Sequence, residues 1–178
     1  MKKLFIVVDY QNDFVTGSLG FPEARLLEEP ICRKIRTYQS SDDDVVYTLD
    51  THDNNYLQTT EGRALPIVHC VKNTNGWKLY GKTAELLKDC RRFEKPCFGC
   101  LDLVPFLQNH QYGSVELCGL ASNICVLSNA VIVKTALPEA AVSVDAECTS
   151  CTDSQQNEEA LRCMEGLQIR VERKKHEH

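Results

Sequence analysis

The chain has 178 residues, 43% hydrophobic and 25% charged, which is the size and balance of one ordinary globular domain, so 1–178 is read as a single unit. Its formal charge of −5 offers no broad positive field, which argues against nucleic acid or an anionic membrane surface as a partner. The longest apolar run near the start, Leu4 to Val8, is far short of the roughly 20 residues that span a bilayer, and no secretory signal pattern follows Met1. The expected location is therefore the cytoplasm, where most of the 10 cysteines would be reduced and packed as small apolar side chains.

Short apolar, β-branched runs predict strands at Leu4–Val8, Val45–Leu49, Ile67–Val71, Val115–Cys118, Ala140–Val144 and Ile169–Val171. Between them, helices are predicted over Glu28–Tyr38, Lys82–Arg91, Asp102–Asn109, Asn123–Lys134 and Gln155–Glu165. Strand and helix alternate, so the expected fold is α/β, a mostly parallel sheet with helices on both faces. The charged end, about 173–178, reads as a frayed tail, and its histidines are set aside.

In such a sheet chemistry collects at the carboxyl ends of the strands. Asp9 follows the first predicted strand, Asp50 and His52 follow the second, His69 lies in the third, and Cys125 sits in the small-residue turn GLASNIC at a predicted helix start. A thiol at a helix N-terminus has its thiolate favoured by the dipole and by free backbone N–H groups, which also suit an oxyanion. A carboxylate, an ammonium and a thiol, here Asp9, Lys95 and Cys125, make a nucleophile with its own proton acceptor. Asp50, His52 and His69 form a ligand set suited to a Zn, Fe or Mn ion. Taken singly, each of these residues also fits an ordinary turn, surface or core position.

In order along the chain, FIVVDYQNDF, DTH, HCVKNTNGW, EKPCFG and GLASNICVLSNA resemble the cysteine hydrolase superfamily that contains isochorismatases and nicotinamidases. The resemblance implies a three-layer α/β/α fold with a six-stranded, mostly parallel sheet. It also implies a catalytic triad of Asp9, Lys95 and Cys125, a cis Leu120–Ala121 peptide, and an oxyanion hole from the N–H groups of Ala121 and Cys125. Asp50, His52 and His69 match the divalent metal site of the nicotinamidase branch, with zinc the first expectation and Glu61 a possible further ligand. The implied reaction is hydrolysis of nicotinamide or a similar small carboxamide through a cysteine thioester, and relatives are often dimers or tetramers.

The chain departs from that branch after Asp50, where DTHDNNYLQTTEGR replaces the common Trp, His and Pro residues, and Asn123 stands where many relatives carry Asp. Phe14, Leu19, Trp77 and Tyr80 are candidate walls for a flat aromatic substrate. One alternative is another small amide or carbamoyl substrate. A rival of a different class is a zinc or redox sensing module built on CFGC, with Cys97 and Cys100, and CTSC, with Cys148 and Cys151.

Overall fold

The computed structural model describes residues 1–174. In chain order it runs β1 (Lys3–Val8), α1 (Asn12–Val15), α2 (Pro22–Leu26), α3 (Glu28–Ser40), β2 (Asp44–Asp50), α4 (Thr60–Ala64), α5 (Gly81–Leu86) and β3 (Arg91–Lys95). There follow α6 (Leu103–His110), β4 (Ser114–Leu120), a π-helical turn (Ser122–Val126) that leads directly into α7 (Leu127–Ala136), β5 (Ala141–Ser150), α8 (Ser154–Gly166) and β6 (Arg170–Glu172). The six strands form one sheet in the order β3-β2-β1-β4-β5-β6, and every pairing is parallel.

Alternate residues of β1 enter opposite cores, as the two-residue period of a strand demands. Leu4, Ile6 and Val8 pack with Leu103, Leu107, Ala130, Val133 and Met164 from α6, α7 and α8. Phe5 and Val7 pack with Ala24, Ile31 and Ile35 from α2 and α3. Both faces of the sheet are thus covered, which is why its central strands are apolar throughout. No helix of the described residues is long and apolar enough to cross a membrane.

Five of the six predicted strands are present, and β5 runs on to Ser150. The exception is Ile67–Val71, where Ile67 and Val68 are exposed and Val71 makes only an isolated bridge to His52. The missing strand is β3, whose sequence RRFEK has no apolar run. It sits at the sheet edge against β2 alone, so Arg91, Arg92 and Glu94 reach solvent while Phe93 and Lys95 are buried. The predicted helix Lys82–Arg91 accordingly stops at Leu86, releasing chain for that edge strand. Of the expected tail, Arg173 pairs with Glu158 at 2.8 Å and Lys174 with Glu147; 175–178 lie outside the described residues.

One glycine matters for the active end of the sheet. Gly119, at φ +107°, lies where a side-chain Cβ would fall 1.9 Å from the Val8 carbonyl oxygen. Only glycine lets β4 approach β1 this closely just before the turn that carries Cys125.

Candidate active site

The carboxyl ends of four parallel strands, β1, β2, β3 and β4, bring the predicted groups together. Asp9 follows β1 with a left-handed φ of 47°, a conformation Asp tolerates better than bulkier residues. Its Oδ1 accepts a 2.7 Å hydrogen bond from Thr48 Oγ1 on β2, and its Oδ2 lies 2.7 Å from Lys95 Nζ. Lys95 ends β3 and is almost completely buried. Its ammonium also donates to the Cys97 carbonyl at 2.9 Å and lies 3.3 Å from Asp50 Oδ1 and 3.5 Å from Cys125 Sγ.

Burial raises the Asp9 carboxyl above the usual range, and Asp50 adds to this, while Lys95 pulls it back down. Burial likewise pushes the Cys125 thiol well up, and the neighbouring Asp9 carboxylate reinforces it while Lys95 opposes. Burial works against the Lys95 charge, yet Asp9, Cys125 and Asp50 outweigh it and hold the ammonium. The Lys95 ammonium thus lies between the Asp9 carboxyl at 2.7 Å and the Cys125 thiol at 3.5 Å, so a proton acceptor and a fixed cation flank the sulfur.

Cys125 lies within the π-helical turn, directly after the cis Leu120–Ala121 peptide that the resemblance implies. The Asn123 amide donates to Gln156 Oε1 at 3.0 Å, tying the turn to α8. Ala121 and Cys125 share the floor of a cavity of about 70 Å³. Phe14, Leu19, Leu65, Phe98 and Ile124 form its apolar walls, and Asp50, Glu61 and His69 its polar end.

At that end the donor atoms of Asp50, His52 and His69 all lie within 4.8 Å of one another, and all three residues are buried. Asp50 Oδ2 is 2.9 Å from His52 Nε2 and 3.4 Å from His69 Nε2. Glu61 Oε1 stands 3.8 Å and 3.9 Å from the same two nitrogens. The His69 Nδ1–H donates to the Ile67 carbonyl at 2.7 Å, which orients the ring with Nε2 facing the cluster. Two imidazoles converging on one or two carboxylates in a buried pit fit a divalent cation better than they fit one another.

Two predicted wall residues lie elsewhere. Trp77 packs in the core on the α3 side, donates from Nε1 to Thr51 Oγ1 at 2.9 Å, and carries Arg92 over its ring. Tyr80 meets Tyr10 edge-on in the same region. Both close the core beneath the site because the Gly76-containing loop folds back along α1, with Asn12 and Asp13 N–H donating to the carbonyls of Lys78 and Gly76. The shared-zinc form of the CxxC rival does not fit the geometry. Cys100 belongs to the core on one face of the sheet and Cys148 to the core on the other, so the two pairs cannot share an ion, and all ten cysteines are free thiols.

Sequence reasoning missed several neighbours of these groups. Gln11, fully buried, accepts from Asp50 N–H at 2.8 Å and donates to the Asp50 and Trp77 carbonyls at 2.9 and 2.8 Å. Thr48, Leu65, Phe98 and Ile124 were equally unsignalled, since a strand threonine or a loop hydrophobe has no local mark of its partner.

The isochorismatase domain family model matches residues 3–173. The chain belongs to that family. An isochorismatase family protein from Bacillus subtilis, PncA, is 34% identical over 143 residues, covering 74% of this chain and 78% of its own. The crystal structure of a nicotinamidase/pyrazinamidase PncA from Bacillus subtilis superposes with a TM-score of 0.88 at 27% identity, covering 97% of this chain and 100% of that one. A Pyrococcus horikoshii pyrazinamidase solved in complex with zinc gives a TM-score of 0.85 at 25% identity over 98% and 100% of the two chains.

Proposed function

We propose that this family member is an amidohydrolase of the nicotinamidase type, converting nicotinamide or a closely similar small carboxamide to the acid and ammonia. One observation carries the reading: a buried thiol with its own carboxylate and ammonium opens on the same small cavity as Asp50 and His69 of the histidine–carboxylate cluster. The relatives named nicotinamidase and pyrazinamidase support the substrate class.

In this mechanism Asp9 takes the Cys125 proton as Sγ attacks the carboxamide carbon. The N–H groups of Ala121 and Cys125 receive the developing oxyanion at the cavity floor. Asp9 returns the proton to the leaving nitrogen, ammonia departs, and a thioester on Cys125 remains. Asp9 then takes a proton from water, whose oxygen attacks the thioester; the carbon–sulfur bond breaks, Asp9 passes that proton to the departing sulfur, and the thiol is restored as the acid is released. Lys95 keeps its charge throughout, so Asp9 and the thiolate never face the low-dielectric pit without a counterion. Asp50, His52 and His69, with Glu61 alongside, would hold a divalent ion, zinc by preference over iron or manganese, which supplies a Lewis-acid contact for a substrate ring nitrogen. Phe14, Leu19 and Phe98 flank a planar ring and exclude water. Assembly into a homodimer or tetramer is part of this reading, supported by the large apolar side chain of Leu101, which remains exposed.

The test is a pair of substrates identical in shape. Nicotinamide should be hydrolysed, and benzamide, lacking the ring nitrogen, should be at least about a hundredfold poorer in kcat/KM, roughly 2.7 kcal/mol. Ammonia release from both, alongside metal analysis, reads the result. Equal rates on the two compounds would remove the ring-nitrogen reading and leave the general carboxamide or carbamoyl reading of the same triad.

A further inference from the structure

The CFGC segment, 97–100, is not a metal clasp, and its position suggests another role. Its first carbonyl, Cys97 O, accepts from Lys95 Nζ at 2.9 Å, its Phe98 side chain lines the cavity, and Cys100 is buried in the core. What holds the middle of the segment is a residue four positions after the nucleophile. Asn129, fully buried on α7, accepts from Cys100 N–H at 2.9 Å through Oδ1. Through Nδ2 it donates to the Phe98 carbonyl at 3.1 Å and the Cys125 carbonyl at 2.8 Å. The amide orientation is dictated by its neighbours, since one partner is a donor and two are acceptors. Gly99, between those anchors, lies flat on the same helix, where an added Cβ would stand 2.6 Å from Ile132 Cδ1.

We infer that Asn129 is a positioning and specificity residue: it clips the 97–100 strap onto the nucleophile's helix, and so fixes Phe98 as a substrate wall of the cavity it shares with Phe14 and Leu19. Phe98 itself is 43% exposed, so packing covers it only in part, and the hydrogen bond from Asn129 to its own carbonyl fixes its backbone. The two anchors act on different functions. The Lys95 contact ties the strap to the charge that serves the thiol, whereas the Asn129 contact ties it to the cavity's shape. Loss of Asn129 should therefore loosen substrate binding more than it slows chemistry.

This inference deepens the amidohydrolase reading and rests on it for its kinetic arm, while a second arm is independent of activity. Asn129→Ala should raise KM for nicotinamide about tenfold with kcat changed by less than about threefold. Phe98→Ala should give a similar rise, and the double variant should add little, because both remove one wall. Independently, hydrogen exchange at the Cys100 amide should speed up at least about tenfold in Asn129→Ala and stay unchanged in Phe98→Ala. The rate of Cys125 alkylation by iodoacetamide should stay within about twofold of the parent, which excludes an effect through the nucleophile. Should Asn129→Ala not fold, Asn129→Asp keeps the acceptor for Cys100 N–H but sets an oxygen against two carbonyls, and it should show the same KM rise. An unchanged Cys100 exchange rate, strictly additive KM effects, or a fall in kcat alone would each overturn the latch. A parent protein inactive on every small amide would instead overturn the amidohydrolase reading, while the exchange arm would still decide whether Asn129 holds the strap.

Discussion

Two lysines in this molecule each sit between two carboxylates, and the proposed reaction uses one of them. Lys95 lies 2.7 Å from Asp9 and 3.3 Å from Asp50 at the carboxyl ends of the strands. Lys34, on α3, lies 2.6 Å from Glu116 and 2.9 Å from Asp145 against the face of β4 and β5. The Lys34 cluster is completed by Tyr38, whose hydroxyl donates to the second Glu116 oxygen at 2.7 Å. The Lys95 cluster is completed by a thiol, and it opens on a cavity. A buried ion pair by itself therefore says little about function; a nucleophile in contact with both the charge and a proton acceptor is what separates the two sites. Burial differs too: the Lys95 side chain is 1% exposed and the Lys34 side chain 26%.

The sharpest way to break this contrast is at the nucleophile. Cys125→Ala should lower kcat by about four orders of magnitude or more, and Asp9→Asn by a comparable factor, because proton acceptor and nucleophile act as a unit. Ammonia release measures both, and circular dichroism should show the fold retained. A Cys125→Ala protein with most of its activity would remove the site from Cys125 altogether.

Removing each lysine comes next. Lys95→Met leaves Asp9 and Asp50 buried without their cation, so it should cost about 3–5 kcal/mol of stability and abolish turnover. Lys34→Met, in a wetter cluster, should cost about 1–2 kcal/mol and leave kcat unchanged. Urea titrations of the two variants, with rates measured on the folded fraction, separate them. Equal stability losses would mean that burial does not distinguish the two clusters. In the same series, chelation should erase most of the nicotinamide preference, as should His52→Ala or His69→Ala, without changing Cys125 alkylation.

How much of this could be read in the amino-acid sequence follows from the same physics. Asp9, Cys125 and the Asp50–His52 pair end apolar strands or open a helix, so period and punctuation placed them at one edge of the sheet before any geometry was known. Lys95 was legible only through the motif around it, because its strand RRFEK is an edge strand whose outward residues are charged. Ile67 and Val68 misled for the opposite reason, being apolar residues on an exposed loop beside the cavity. Trp77 looked like a pocket wall because aromatic residues serve cores and pockets alike, and only packing decides between them. Gln11, Thr48 and Asn129 were silent, since each acts through hydrogen bonds to residues far away in the chain, and no local pattern records those partners.

The smallest expected effect also distinguishes the clusters, through pH. Burial disfavours the Lys34 charge, but hydrogen bonds to Glu116 and Asp145 outweigh it, so its pKa in the fold is raised above the ordinary 10.5. A raised value means that the folded state holds this proton more tightly than the unfolded one. The stabilisation is then complete below the unfolded value and is lost as pH climbs toward the folded one. Tyr38 is raised as well, by burial and by its bond to Glu116, but it keeps that bond in Lys34→Met. Lys95 is raised in both proteins and cancels from the difference. The stability gap between the parent and Lys34→Met should thus be flat from about pH 7 to pH 9 and narrow by roughly 0.8 kcal/mol at pH 11. Urea midpoints at those pH values measure it. A gap that stayed constant to pH 11 would mean that Lys34 contributes by packing its aliphatic stem rather than by its charge, and the resemblance between the two lysine sites would reduce to one of geometry alone.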